Sequence, residues 1–292
     1  MTFRFALPDT SLVDLLADVL ASQGNEVTRM PEADIRAALD NDAADIGLMP
    51  TITLIQQADD FEALGGGAVA TWGNPYVRLL LSGKLADPIK TLAFNPADLQ
   101  AALAATLVLR EHYGQKPVLV PRPAVTSADL GTADAVVLTG AHALDVPEEV
   151  LALDLSQEWY ELANYPMVWY LFAVPSGNAT EVHRDAVVAA VSQADPMRAD
   201  HALGPNRTPE MAHFYEHSLS YRWDDLATAS LTEWSDYLFQ SGVLPDPSYV
   251  SVAAFASDID DEDEEESENR DSHDDNLSFE DSGFYDDLPD ED

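Results

Sequence analysis

Apolar positions along the first 250 residues recur in two rhythms, and the switches between them lay out the elements. Residues 3–7 are a short apolar run that predicts a strand. Leu12, Leu15, Leu16, Val19 and Leu20 then recur at helical spacing, predicting a helix that ends near Gly24. A second strand is predicted at 26–29 and a helix at 31–40. The run "DIGLMPTITLIQ" (45–56) is mostly apolar yet carries Pro50 in its middle. Inside one strand that proline would remove a ladder hydrogen bond, and inside one helix its ring would clash with the preceding turn. A boundary satisfies both constraints: a buried strand at 46–49, then a helix to 57 with Pro50 in its first turn.

The pattern continues in the same alternation. "LGGGAV" (64–69) predicts a flexible turn, since no phosphate-facing helix follows it at once. Residues 76–82 predict a buried strand, and 91–114 a strand, a turn and a long helix stopped by Gly114. "KPVLVP" and "ADAVVLTG" predict strands, "ALDLSQEWYELAN" a short strand and a helix, and "MVWYLFAV" a strong apolar strand. Helices are predicted at 181–194 and around Leu226, Leu231, Trp234 and Leu238. Strands alternating with helices imply an α/β architecture with mainly parallel, doubly wound sheets.

Charge narrows the class of partner. The chain has 292 residues, 53 acids against 14 bases, and a formal net charge of −39. Residues 258–292 hold 19 acids and one arginine, a net −18, which leaves −21 on the first 257 residues. Such a surface repels phosphate backbones and anionic lipid, so neither nucleic acid nor membrane is expected as a partner. With only Lys84, Lys90 and Lys116 as lysines, the composition fits a halophilic cytoplasm, where salt screens self-repulsion. The start, "MTFRFALPDTSLVDLL", lacks the segments of a secretory signal, and no apolar run approaches the ~18 residues of a membrane span, so a cytoplasmic location is expected. The 258–292 tail has almost nothing to bury and is expected to be disordered. Leu277, Phe279, Phe284, Tyr285 and Leu288 among its acids are a pattern that can engage a protein partner, beside the plainer reading of a solvated tail.

Several chemistries lack their parts. There is no cysteine, hence no disulfide, thiol nucleophile or zinc-thiolate site. His213 and His217 have the spacing to share a helix face, but with no third ligand nominated they read as surface histidines, and no metal is expected. No G-x-S-x-G, P-loop or G-x-G-x-x-G motif is present. What remains are strand-to-helix corners, where ligands of doubly wound sheets meet free helix N–H groups. They are "LPDTS" (7–11), "MPT" (49–51), "FNPAD" (94–98) and Thr139 with Gly140. Simple helix capping by Asp9, Thr10, Thr51 and Asn95 is the plainer alternative at each.

Taken together, "DIGLMPTITLI", "NPYVRLLLS", "ALAATLVLREHYG", "ADAVVLTGAHAL", "DLSQEWYELANYPMVWYLFAV" and "LSYRWDDLATASLTEWSDYLFQSGVLP" resemble, in the same order, segments of the chorismate dehydratase family of the futalosine route to menaquinone. The resemblance covers 3–245 and omits the tail. It implies a two-lobe, type II periplasmic-binding-protein-like fold with a central cleft. Lobe 1 would comprise 1–82 and 172–257, lobe 2 would comprise 83–171, and the acidic tail 258–292. It also implies a reaction without a cofactor, removal of water from chorismate to give 3-[(1-carboxyvinyl)oxy]benzoate, and a small-molecule carboxylate as partner.

The chain departs from the family pattern in the cleft. Where the family has Ser-Tyr-Leu-Asn after its first strand, with the Asn implicated in catalysis, this chain has "PDTSL", with Leu12 at the Asn position. A family Ser falls on Val77, the Ser/Thr-rich helix start becomes "NPADLQAA", and a Gly-Asp becomes Gly140-Ala141. The "PDT" segment is similar to one in the sister enzyme that forms 1,4-dihydroxy-6-naphthoate. Position therefore nominates the cleft: Asp9 or Asp98 as base, and Thr10, Ser11, Thr51, Asn95, Thr139 and Gly140 as ligand contacts. Arg78 is nominated as a carboxylate clamp, with a structural ion pair as its alternative. A non-catalytic cytoplasmic carboxylate-binding protein on the same scaffold is the alternative to the enzyme.

Overall fold

The computed structural model describes residues 1–83, 85, 87–202 and 208–255; the acidic tail at 258–292 lies outside the described residues. Strand Arg4–Pro8 (β1) leads through a 3-10 turn into helix Asp14–Ser22 (α1), followed by Glu26–Met30 (β2), helix Glu32–Asp40 (α2), Ile46–Pro50 (β3) and helix Thr51–Gln56 (α3). The chain then forms Phe61–Thr71 (β4), Val77–Leu81 (β5), Thr91–Phe94 (β6), helix Leu99–Glu111 (α4), Val118–Pro121 (β7) and Ala135–Thr139 (β8). After a short helix, Ala141–Leu144 (α5), come Leu151–Asp154 (β9), helix Leu155–Ala163 (α6) and Met167–Pro175 (β10). Helices Glu181–Ala202 (α7) and Pro209–His213 (α8), the short strand Leu219–Ser220 (β11) and helix Asp225–Gln240 (α9) complete it.

Two sheets result, ordered β11-β4-β10-β3-β1-β2 and β7-β6-β8-β5-β9, both within the compact unit Met1–Ala253. Among the strands just described, pairing is parallel in β2-β1-β3 and β7-β6-β8 and antiparallel in the other pairs. The expected mainly parallel sheets are thus mixed ones. The strands that carry the chain from one sheet to the other, β4, β5 and β10, run against their neighbours, which alternation of strand and helix along the sequence does not reveal. β5 belongs to the second sheet and β10 to the first, so the change of sheet falls at 72–76 and at 164–166, not after residues 82 and 171.

Pro50 is the boundary its position demanded. All five residues of β3 are buried, and α3 starts at the next residue. The glycine run is the opposite case, since "LGGGAV" lies inside β4 and is not a loop. Gly65 and Gly66 have φ of +73° and +72° and sit where the register of β4 against β10 shifts, so they form a bulge. At Gly67 a Cβ would come within 2.6 Å of Val187 on α7. The glycines therefore let a helix lie flush on the strand. α7 itself runs past the expected end at 194 to Ala202, with Pro196 inside it.

Candidate active site

A cavity of about 220 Å³ lies between the two sheets. Its walls come from corners of both. The first sheet contributes Asp9, Thr10, Ser11 and Leu12 after β1, Glu32 at the start of α2, and Trp169 and Tyr170 from β10. The second contributes Val77, Asp98, Gln100, Ala101, Thr139, Gly140 and Ala141, and Tyr76 reaches it from the connection between sheets.

Each corner is shaped locally. Arg29 on β2 gathers the first: it donates to the carbonyls of Pro8 (3.0 Å) and Thr10 (2.6 Å) and pairs with Asp14 (3.0 Å). Tyr215 and Tyr221 brace the same corner, their hydroxyls donating to the carbonyls of Ser11 (3.1 Å) and Leu12 (2.9 Å). In the second sheet Asn95 accepts from the Ala97 N–H (3.1 Å) and thereby caps the turn that presents Asp98. Thr139, at the end of β8, donates its hydroxyl to Asp98 Oδ2 (2.9 Å). Gly140 follows with φ +59° and ψ −137°, a conformation that glycine adopts without a Cβ clash. Trp169 is pinned by donation from its indole to Thr71 Oγ1 (2.8 Å) and Ser156 Oγ (3.2 Å).

Two carboxyl groups, Glu32 and Asp98, line this cavity from opposite sides. Tyr170 donates its hydroxyl to Glu32, and the residue is half-buried with its carboxyl end sheltered. Burial pushes Glu32 up to about 7; donation from Tyr170 opposes the shift and the charge of Asp98 adds to it. Asp98 is also raised by burial, against the donation from Thr139. Burial, then the neighbouring Glu32, moves the Tyr170 phenol well above its ordinary range, so it stays a donor.

The raised Glu32 makes stability depend on pH. Between the ordinary glutamate value of 4.5 and about 7 the folded chain holds a proton that the unfolded chain has released, so this contribution is present below 4.5 and lost as pH rises through 7. Glu32→Gln removes that loss and still accepts from Tyr170. Denaturation at high salt is expected to show the variant more stable than wild type by about 2 kcal/mol at pH 8, with no gain at pH 4. An equal difference at both pH values would contradict burial as the cause.

Of the residues nominated from the sequence, the structure brings Asp9, Thr10, Ser11, Asp98, Thr139 and Gly140 to the cavity and leaves three elsewhere. Thr51 is fully buried and donates to the Val168 carbonyl (2.9 Å). The neighbouring N–H of Ile52 donates to Gln100 (3.1 Å), whose amide nitrogen donates to the same Val168 carbonyl (2.8 Å). The start of α3 is thus closed by a side chain from the second sheet and is not offered to a ligand. Asn95 is spent on its cap. Arg78 pairs with Asp154 (3.8 Å) and Glu210 and is absent from the cavity wall, the structural alternative for that residue. Asp9 does line the cavity, but its side chain is 79% exposed and lies 3.7 Å from Arg29. His213 and His217 stand side by side, ring centroids 4.8 Å apart, and among the described residues no group of three metal-ligating side chains forms.

Sequence reasoning passed over Glu32, Tyr76, Gln100, Trp169 and Tyr170. Glu32 had a signal: "MPE" at 30–32 repeats the strand-proline-helix pattern of "MPT" at 49–51. Trp169 and Tyr170 had none, because they stand in an unbroken apolar run in which every position looks like core.

Two mixed sheets with a ligand-sized cavity between them define a periplasmic-binding-protein-like fold, and solved structures agree. The periplasmic aliphatic sulphonate-binding protein of Escherichia coli superposes with a TM-score of 0.60 at 15% identity, over 85% of this chain and 94% of that one. A structural-genomics protein from Archaeoglobus fulgidus gives 0.59 at 18% identity, over 83% and 98%. A Candida albicans gene product described as having the generic periplasmic binding protein fold gives 0.51 at 10%, over 87% and 99%. At such identities the likeness shows the fold alone. A family model for menaquinone biosynthesis matches residues 8–239, and the chain belongs to that family. No curated protein sequence matches it. Among the described residues no helix is long and apolar enough to cross a membrane.

Proposed function

We propose that the chain is a hydro-lyase of the chorismate dehydratase type, removing water from chorismate to give 3-[(1-carboxyvinyl)oxy]benzoate. The observation that carries this reading, beside membership of the menaquinone-biosynthesis family, is the cavity between the sheets, walled by hydrogen-bonding groups from corners of both. Loss of water requires one group to take a proton from carbon and another to protonate the departing hydroxyl, in a pocket that holds the ring still. Trp169, Tyr170 and Tyr76 offer faces to a ring, and Thr10, Ser11 and Thr139 offer hydroxyls. The start of the thirteen-residue α4, at Gln100 and Ala101, brings the positive end of a helix dipole to a substrate carboxylate.

A second reading, a protein that binds a small carboxylate without transforming it, draws on the same wall. Leu12, Val77 and Ala141 line the cavity where the resemblance places the family's Asn, Ser and Asp, and among the described residues no Lys, Arg or His lines it. Incubation of the purified protein with chorismate at high salt separates the two. The expected result is a product lighter by one water in the mass spectrum; saturable thermal stabilisation by chorismate without that product would favour the binding protein.

A further inference from the structure

Glu32, at the start of α2, and Asp98, in the turn after β6, line one cavity, each held by a hydroxyl donor of its own, Tyr170 and Thr139. Among the described residues no cation in the cavity wall offsets them, and the positions where the resemblance places polar catalytic groups are Leu12, Val77 and Ala141. Burial raises both carboxyl groups, and the charge of Asp98 adds to the shift of Glu32, so a protonated Glu32 beside an ionised Asp98 is the favoured pairing. That is the state an elimination of water needs.

We propose that Glu32 and Asp98 are the acid and base of this site, Glu32 protonating the departing hydroxyl and Asp98 accepting the proton from carbon. The proposal rests on the hydro-lyase reading above. In the step, the C–H electron pair forms the new carbon–carbon double bond while the C–O bond breaks. The hydroxyl leaves with the proton of Glu32 as water, and Asp98 takes the carbon's proton. One proton then passes from Asp98 to Glu32, directly or through solvent, and restores the starting state. No electron is gained or lost. Assigning the acid to Glu32 follows from burial, which keeps it protonated up to about pH 7, and from Tyr170, which holds the carboxyl in place and steadies the carboxylate that forms.

Tyr170 from β10 and Asp98 from the turn before α4 act on Glu32, and the other titratable groups of the cavity wall are Tyr76 from the inter-sheet connection and Asp9, itself paired with Arg29. The full-length protein is assayed with chorismate at high salt from about pH 5 to 9, a window on both sides of the Glu32 titration. Wild-type kcat is expected to fall as pH rises through about 7. Glu32→Gln and Asp98→Asn are each expected to lower kcat about 100-fold while KM stays within a few-fold. Tyr170→Phe is expected to move the high-pH limb upward, because its donation favours the ionised form of Glu32. Turnover by Glu32→Gln and Asp98→Asn close to wild type, or a limb that Tyr170→Phe does not move, overturns the pair and leaves the hydro-lyase reading standing. No turnover by the wild-type protein overturns that reading and the pair with it. Circular dichroism reports whether the variants fold; if a carboxyl variant does not, the wild-type profile and Tyr170→Phe decide.

Discussion

Trp159→Ala is expected to lower unfolding free energy by about 4 kcal/mol, in the range for truncating a large buried aromatic. Trp159 on α6 is fully buried and meets Trp234 of α9 edge-on, ring centroids 5.3 Å apart, with Tyr237 at 5.7 Å on the same helix. Its indole N–H donates to Ser230 (3.2 Å), and the Ser230 hydroxyl donates to the Pro166 carbonyl at the entrance to β10. The position joins parts of both halves: α6 follows β9 of the second sheet, while α9 packs against β10 of the first. Alanine leaves a cavity the size of an indole and the Ser230 oxygen without its indole donor. Equilibrium denaturation in urea at high salt gives the number. Trp159→Phe keeps an aromatic ring and loses the N–H, so it is expected to fall between wild type and alanine. A loss under about 1 kcal/mol for the alanine variant would mean that α6 and α9 collapse around the gap, contrary to the close packing described.

Asp195→Ala is expected to cost about 3 kcal/mol, because it strands charges that now share one acid. Asp195 is buried in α7 and accepts from Arg198 (3.0 Å), Arg222 (2.7 Å) and the Tyr221 N–H (3.3 Å). Arg198 in turn donates to the Tyr215 carbonyl (3.1 Å). The figure sits at the lower end of the range for broken buried pairs, since Arg222 is 65% exposed and water can take up its charge. The loss also reaches the cavity. Tyr215 and Tyr221, which Asp195 and Arg198 hold, are the residues whose hydroxyls brace Ser11 and Leu12. On the proposed function, weaker chorismate binding is therefore expected alongside lower stability. Asp195→Asn, which keeps an acceptor, should lose less, and Arg222→Ala little. Equal stability of Asp195→Ala and wild type would show that solvent already screens the cluster.

Local chemistry carried much of the fold. The boundary at Pro50 follows from one missing N–H and one ring, constraints that act within a few residues, and the structure places it as expected. The corners after β1 and β8, and the turn holding Asp98, were legible for the same reason. "LGGGAV" was misread because glycine marks both loops and close approach; only α7, more than a hundred residues later, shows which applies. Thr51 was misread because the start of α3 looks open in its own segment, and the side chain that closes it, Gln100, arrives from the other sheet.

The sequence by itself determined the elements, the acidic surface and, through its resemblance, the family, because hydrophobic period, proline and glycine geometry and charge composition are written in neighbouring residues or in totals. Tertiary structure alone decided which strands run antiparallel, that Arg78 is paired with Asp154 and Glu210 away from the cavity wall, and that Glu32 and Asp98 share a cavity. Each of those depends on contacts between segments far apart in the chain. Above all, the protonation of Glu32 is set by burial and by Tyr170 at a separation of 138 residues, and a carboxyl's solvent shelter has no local signature.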